Sequence, residues 1–255
     1  MTVMNPHRLL CLVAVLCLGF ASAHAATTIS LRPVADTSIF FANGLTNNNF
    51  GGGNTFTAGG RPITHGGLCR ALLLFDVAGS VPAGATINSV SLGLTVMDSP
   101  PGTSVASVFD LNRLTASWAE GNGADHGGST AGPNEATWFK RFGTLGPAWT
   151  TPGGDFSSVV SGSAMITGTG RYTFGSAPNL ISDVQSWLDN PGSDFGWILR
   201  SETENTPRTI RRFASRLDSA NSPVLLIQYT LVPEPSSAAL LLLGSTALAL
   251  KRWRS

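Results

Sequence analysis

Cysteine, histidine, tyrosine and charge are all scarce in this 255-residue chain, and each scarcity removes a class of chemistry. Of the three cysteines, Cys11 and Cys17 fall in an apolar stretch near the start, so Cys69 stands alone in the rest. No intramolecular disulfide is available there. Cys69 sits in the apolar run 68–75, where a buried inert thiol is the plainer reading; a nucleophile would need a histidine beside it. Beyond residue 25 only His65 and His126 remain, both in glycine-rich loops. With two tyrosines, Tyr172 and Tyr229, a lyase-type Tyr/His site is poorly supplied. Charged residues make up only 12% of the chain. Between 26 and 231, twelve basic residues (eleven Arg and Lys140) stand against fourteen acidic ones, which leaves a net charge of −2. There is no basic field for nucleic acid.

What the chain does have is two different hydrophobic ends. A weakly basic start with His7 and Arg8 leads into an apolar or small stretch from Leu9 to Phe20 and then Ala23-His24-Ala25. This is the pattern of a secretory signal peptide, with signal peptidase expected to cut after Ala25. At the other end Val232-Pro233-Glu234-Pro235 precedes an apolar run, Ser236 to Leu250, and then Lys251-Arg252-Trp253-Arg254. As a helix that run rises about 22 Å, less than a hydrocarbon core of roughly 30 Å, so the span must borrow Trp253 and the basic side chains. The basic cluster is expected to stay cytoplasmic, leaving everything before Val232 outside.

The order of motif, span and basic stop resembles the PEP-CTERM sorting signal, with Pro233, Glu234 and Pro235 as the motif. The resemblance implies an exosortase-type processing protease as partner, transient anchoring in the inner membrane of a Gram-negative-type cell, and delivery to the cell surface, outer membrane or an exopolysaccharide matrix. An ordinary anchor that is never processed is the alternative. Both place the domain outside the cytoplasm.

Removing 1–25 and 232–255 leaves 26–231, a length suited to one large β domain. Period-two alternation is plain in Val90, Leu92, Leu94 and Val96, and again in Leu225, Ile227, Tyr229 and Leu231. Further strands are expected at 27–34, 36–41, 54–58, 68–77, 105–114, 164–174, 195–201 and 208–214, separated by Gly and Asn clusters such as 47–53. Many short strands with such punctuation predict an all-β fold, an antiparallel sandwich or jelly roll. One helix is expected near 180–189, from Leu180, Val184, Trp187 and Leu188 on one face, with Asn179 as cap, 190–192 as stop, and Trp187 plugging one end of the sandwich. A C-terminal hydrophobic helix completes the expectation.

Read in order, the pieces are 35–39, Asn49-Phe50-Gly51, 70–77, 81–87, Ser117-Trp118-Ala119-Glu120, Ala136-Thr137-Trp138, 184–188, Asp194-Phe195-Gly196 and a closing strand 223–229. Their succession resembles the DNRLRE-type domain, a secreted jelly-roll module related to carbohydrate-binding modules, over nearly all of 26–231. The resemblance implies a non-catalytic role beside polysaccharides. Two departures stand out: a glycine-rich insertion, 121–135, and Arg211-Arg212-Phe213-Ala214-Ser215-Arg216 in place of a Tyr- or Ser-rich strand. In both polar-aromatic-glycine triplets the side chain is expected to close a turn, the ring to enter the core and the glycine to take φ > 0. Asp76 is expected either to accept N–H groups of the following loop or to pair with Arg70.

A pyranose offers an apolar face and polar edges, so glycan binding needs flat rings with hydrogen-bonding neighbours. The candidates are Trp118, Trp138, Trp149 and Arg141, near Glu120, Asp125 and Asp155. Trp118 and Trp138 read more readily as packing residues, and Trp149 is expected to be the exposed one. Oxygen donors around Asp36, Asn47 and Asn49, and in 122–125, suggest a structural Ca2+, although Asn-rich turns account for the first cluster without an ion. A hydrolase would require Glu120 and Glu135 to pair. The reading is therefore an exported surface or matrix protein that binds extracellular polysaccharide. The alternatives are a self-associating structural protein and a polysaccharide hydrolase or lyase.

Overall fold

Alternating apolar residues at 90, 92, 94 and 96 must all face one side of a pleated strand. In a computed structural model, which describes residues 25–63, 66–99, 104–123 and 128–232, all four are buried. The expected signal peptide and sorting tail, with Pro233, Glu234, Pro235 and the expected C-terminal helix, lie outside the described residues apart from Ala25 and Val232; so do His65, Asp125 and His126.

Among the described residues the strands are β1 (Thr27–Leu31), β2 (Ala35–Phe41), β3 (Asn48–Asn49), β4 (Thr55–Gly60), β5 (Leu68–Leu74), β6 (Thr86–Asp98), β7 (Ser107–Leu114), β8 (Ser129–Thr130), β9 (Phe156–Ile166), β10 (Gly170–Phe174), β11 (Trp197–Ser201), β12 (Arg211–Ala214) and β13 (Val224–Thr230), with one α-helix, α1 (Pro178–Asp189). One layer runs β1-β13-β6-β12-β4, with β10 on the other edge of β6; the second holds β2, β5, β11, β7 and β9. Every pairing is antiparallel. Strand β4 belongs to both layers, because it pairs with β12 while Gly59 and Gly60 pair with Cys69 and Leu68 of β5. The fold is thus an all-β antiparallel sandwich of jelly-roll character, made from one sheet curled on itself.

The main core lies between the layers, with Phe56, Leu73, Phe75, Leu92, Leu94, Phe109, Leu111, Phe213 and Ile227 among its members. Helix α1 closes one end, burying Leu180, Val184, Trp187 and Leu188. Trp187 meets Trp197 edge-on with ring centroids 4.5 Å apart. The helix begins differently from expectation: Ala177 is the cap residue and Pro178 supplies the preset φ of a first turn, while Asn179 donates Nδ2 to Val160 O at 3.0 Å. Thr27 pairs with Tyr229, so both ends of the described chain leave from the pole covered by α1, where Gln185 accepts the N–H of Ile87.

Three strand expectations are corrected. The run 164–174 is two strands, because Tyr172 hydroxyl accepts the N–H of Gly168 at 3.0 Å and closes a turn between β9 and β10. Strand β9 starts at Phe156, in a serine-rich stretch with no alternation; it ends the strand order, and Val159 is 56% exposed. Leu231 lies beyond β13 and is 43% exposed.

Both polar-aromatic-glycine triplets form the same turn: Gly51 N donates to Asn49 Oδ1 (3.0 Å) and Gly196 N to Asp194 Oδ1 (3.2 Å). Their glycines serve different ends. Gly196 has φ +76°, as expected, whereas a side chain at Gly51 would strike Glu120 O.

Candidate functional site

The outer face of the β2-β5-β11-β7-β9 layer presents Ile39, Leu72, Ile198 and Leu114, too much apolar surface to leave in water. Between β7 and β9, residues 115–123 and 128–155 fold back over it and form a second core there. Trp118, Trp138 and Trp149 are that cover, each burying a large ring against the sheet. Trp118 Nε1 donates to Phe195 O and Trp149 Nε1 to Thr137 O, both at 2.9 Å.

The expectation of an exposed Trp149 is therefore corrected: it is 3% exposed, with Trp118 at 8% and Trp138 at 6%. None of the three offers a flat face to a sugar. The physical reason is that a Gly/Pro-rich sequence reads as surface loop, whereas here it lies across an apolar sheet face.

Polar residues pin this cover from three directions. Asn49 donates Nδ2 to Glu120 O (2.7 Å) and Ala136 O (3.0 Å), while its Oδ1 accepts Gly51 N and Gly123 N (2.8 Å). Glu120 accepts the N–H of Asp36 (2.8 Å) and is held bidentately by Arg216, whose own N–H donates to Asp36 Oδ2 (2.6 Å). Arg70 donates Nη1 to Gly153 O (2.8 Å) and is itself clamped by Glu204, Nη2 to Oε1 at 2.6 Å. Its guanidinium lies 5.0 Å from the Trp138 ring centre and 5.4 Å from that of Phe156. The pairing of Asp76 with Arg70 does not form; Asp76 Oδ1 accepts Gly79 N at 2.9 Å instead.

The expected calcium donors are engaged separately. Asn49 Oδ1 has both acceptor positions filled by backbone N–H groups, Asn47 O accepts the N–H of Ala131, and Asp36 is tied to Arg216. Among the described residues no group of three His, Cys, Asp or Glu side chains could hold a metal ion. Burial pushes the Asp36 carboxyl up to about 7, helped by Glu120 and opposed by the Arg216 N–H and guanidinium. Glu135 accepts the N–H groups of Gly132 and Asn122, and no contact joins it to Glu120. Cys69 is fully buried, its thiol pushed up by burial and directed at Gly59 O.

Beside the cover, where its two ends meet the sheet, lies a shallow open groove of about 490 Å3. Thr115, Arg141, Thr150, Thr151, Asp155 and Phe156 line it. Asp155 shapes one wall, its two oxygens accepting the N–H groups of Thr150 (2.9 Å) and Thr151 (2.8 Å). Arg141 is steadied by Ser117 O at 3.3 Å and rests near the Phe142 ring. Of the expected ligand residues, Arg141 alone reaches this groove; the tryptophans build the layer behind it. Phe156 and the three threonines escaped the sequence reading. The available signal was aromatic Phe156 directly after Gly153-Gly154-Asp155. No family model matches the chain, and no curated protein matches it.

Proposed function

We propose that this chain is an exported, non-catalytic protein of the cell surface or matrix that binds extracellular polysaccharide through its sandwich domain. The observation that carries the reading is the groove: one phenylalanine, three threonines, an arginine and an aspartate line one open wall beside the sheet. Those are the partners a pyranose requires, an apolar contact for its C–H face and donors and acceptors for its edges. The open shape suits a long polymer better than a small metabolite.

The ends of the chain supply the address in this proposal. Signal peptidase removes 1–25, the apolar tail tethers the chain to the inner membrane, and an exosortase-type protease acts near Pro233-Glu234-Pro235. The PEP-CTERM and DNRLRE resemblances support this route and role.

A non-catalytic role accords with the commitments of the carboxylates: Glu120 is neutralised by Arg216, and Glu135 and Asp155 hold backbone N–H groups. Affinity electrophoresis of the full chain in mild detergent, through gels containing neutral and acidic polysaccharides, tests the reading. Retardation in at least one gel is expected, and none in any would overturn it.

A self-associating structural role has one observation in its favour. Strand β9 ends the sheet and exposes Val159 and Met165 at 56% each. Sedimentation to large, concentration-dependent species that added glycan does not change would favour it.

A further inference from the structure

The groove's own charges narrow the ligand. Its lining carries one cation, Arg141, and one anion, Asp155, so the wall is balanced. A polyanion needs more than one guanidinium: it needs a track of unpaired positive charge along its path.

Two arginines beside Phe156 already have partners. Arg70 is clamped by Glu204, and Arg200, 5.7 Å from the Phe156 ring centre, donates to Asn112 Oδ1 with Asp110 at 4.0 Å. Farther off, Arg216 is held by Glu120 and Arg212 faces Asp98 at 3.6 Å. Residues 26–231 sum to −2, so the domain supplies no positive field that would draw in an anionic chain. From this arrangement we infer that the groove takes a neutral polysaccharide, bound through C–H contact with Phe156 and hydrogen bonds to Arg141, Asp155 and the threonine hydroxyls, and does not select uronate or sulfated polymers. The inference rests on the polysaccharide-binding reading above.

Binding of that kind is insensitive to salt, because no ion pair forms with the ligand. The test uses the detergent-solubilised full chain in gels containing galactomannan, hydroxyethylcellulose or polygalacturonate, at low and high ionic strength. Thr151→Gln is the companion variant, since Thr151 is exposed on the groove wall and glutamine narrows it without adding charge or a stacking ring. At least a twofold retardation is expected in a neutral gel, unchanged by salt and lost in Thr151→Gln, with an unaltered melting temperature.

Retardation confined to polygalacturonate and abolished by salt would overturn the neutral assignment while leaving the polysaccharide reading standing. Equal retardation of wild type and Thr151→Gln in neutral gels would place binding outside the groove and overturn the inference. Free migration in all three gels would overturn the polysaccharide reading itself.

Discussion

Arg216 donates through Nε and Nη2 to the two carboxylate oxygens of Glu120, 96 positions away, with Nη2 2.6 Å from Oε2. Glu120 lies at the start of the cover and Arg216 just past β12, so this pair staples the cover to the sandwich. Hydrogen bonding to Glu120 holds the Arg216 guanidinium above its ordinary pKa. Replacing Glu120 by alanine strands the guanidinium and deprives Asp36 N–H of its acceptor. A loss of about 2 kcal/mol in urea unfolding is expected, moderated because Arg216 keeps a third of its side chain in water.

Asp36 makes stability depend on pH. Its carboxyl is raised to about 7 chiefly by burial, and so is that of Asp194, also raised by burial. An acid whose folded pKa is raised holds its proton more tightly in the folded state. Stability from this source is full below the ordinary carboxylate range, near 4, and is lost as pH rises to about 7. For buried Asp36 the loss is on the order of 4 kcal/mol. Asp36→Asn keeps an acceptor for Arg216 N–H and should flatten the slope of unfolding free energy between pH 4 and 7; an unchanged slope would refute the assignment.

Asn49 pins the cover from β3 with four hydrogen bonds at 2.7 to 3.0 Å. Asn49→Ala leaves two carbonyls and two N–H groups without partners. An expected loss of about 3 kcal/mol follows, with hydrogen exchange in 119–123 accelerating before the rest of the sheet.

Cys69 is 0% exposed and its thiol is raised by burial. A thiol reagent should label the native protein negligibly and react fully in denaturant. Rapid native labelling would show that β5 opens locally.

The main sandwich was legible wherever one strand face is buried and the other is not. Val90 to Val96 alternate because β6 has the core on one side only, and Leu180, Val184, Trp187 and Leu188 mark a helical stripe for the same reason. Strand β9 before residue 164 was invisible because an edge strand can be polar along much of its length. In the site, Arg141 was legible as a polar group amid aromatics, but the burial of Trp149 was not. It depends on Ile39, Leu72 and Ile198, which come from three different strands.

Local order along the chain was enough to specify the class of fold, the strand faces, the helix and the two Asx turns, because each depends on residues within a few positions of one another. The cover and its groove arise otherwise. Arg216 with Glu120, Arg70 with Glu204 and Asn49 with Ala136 are joined across 96, 134 and 87 positions. Partners so far apart are chosen by which strands the curled sheet sets side by side, and no local pattern of residues carries that choice.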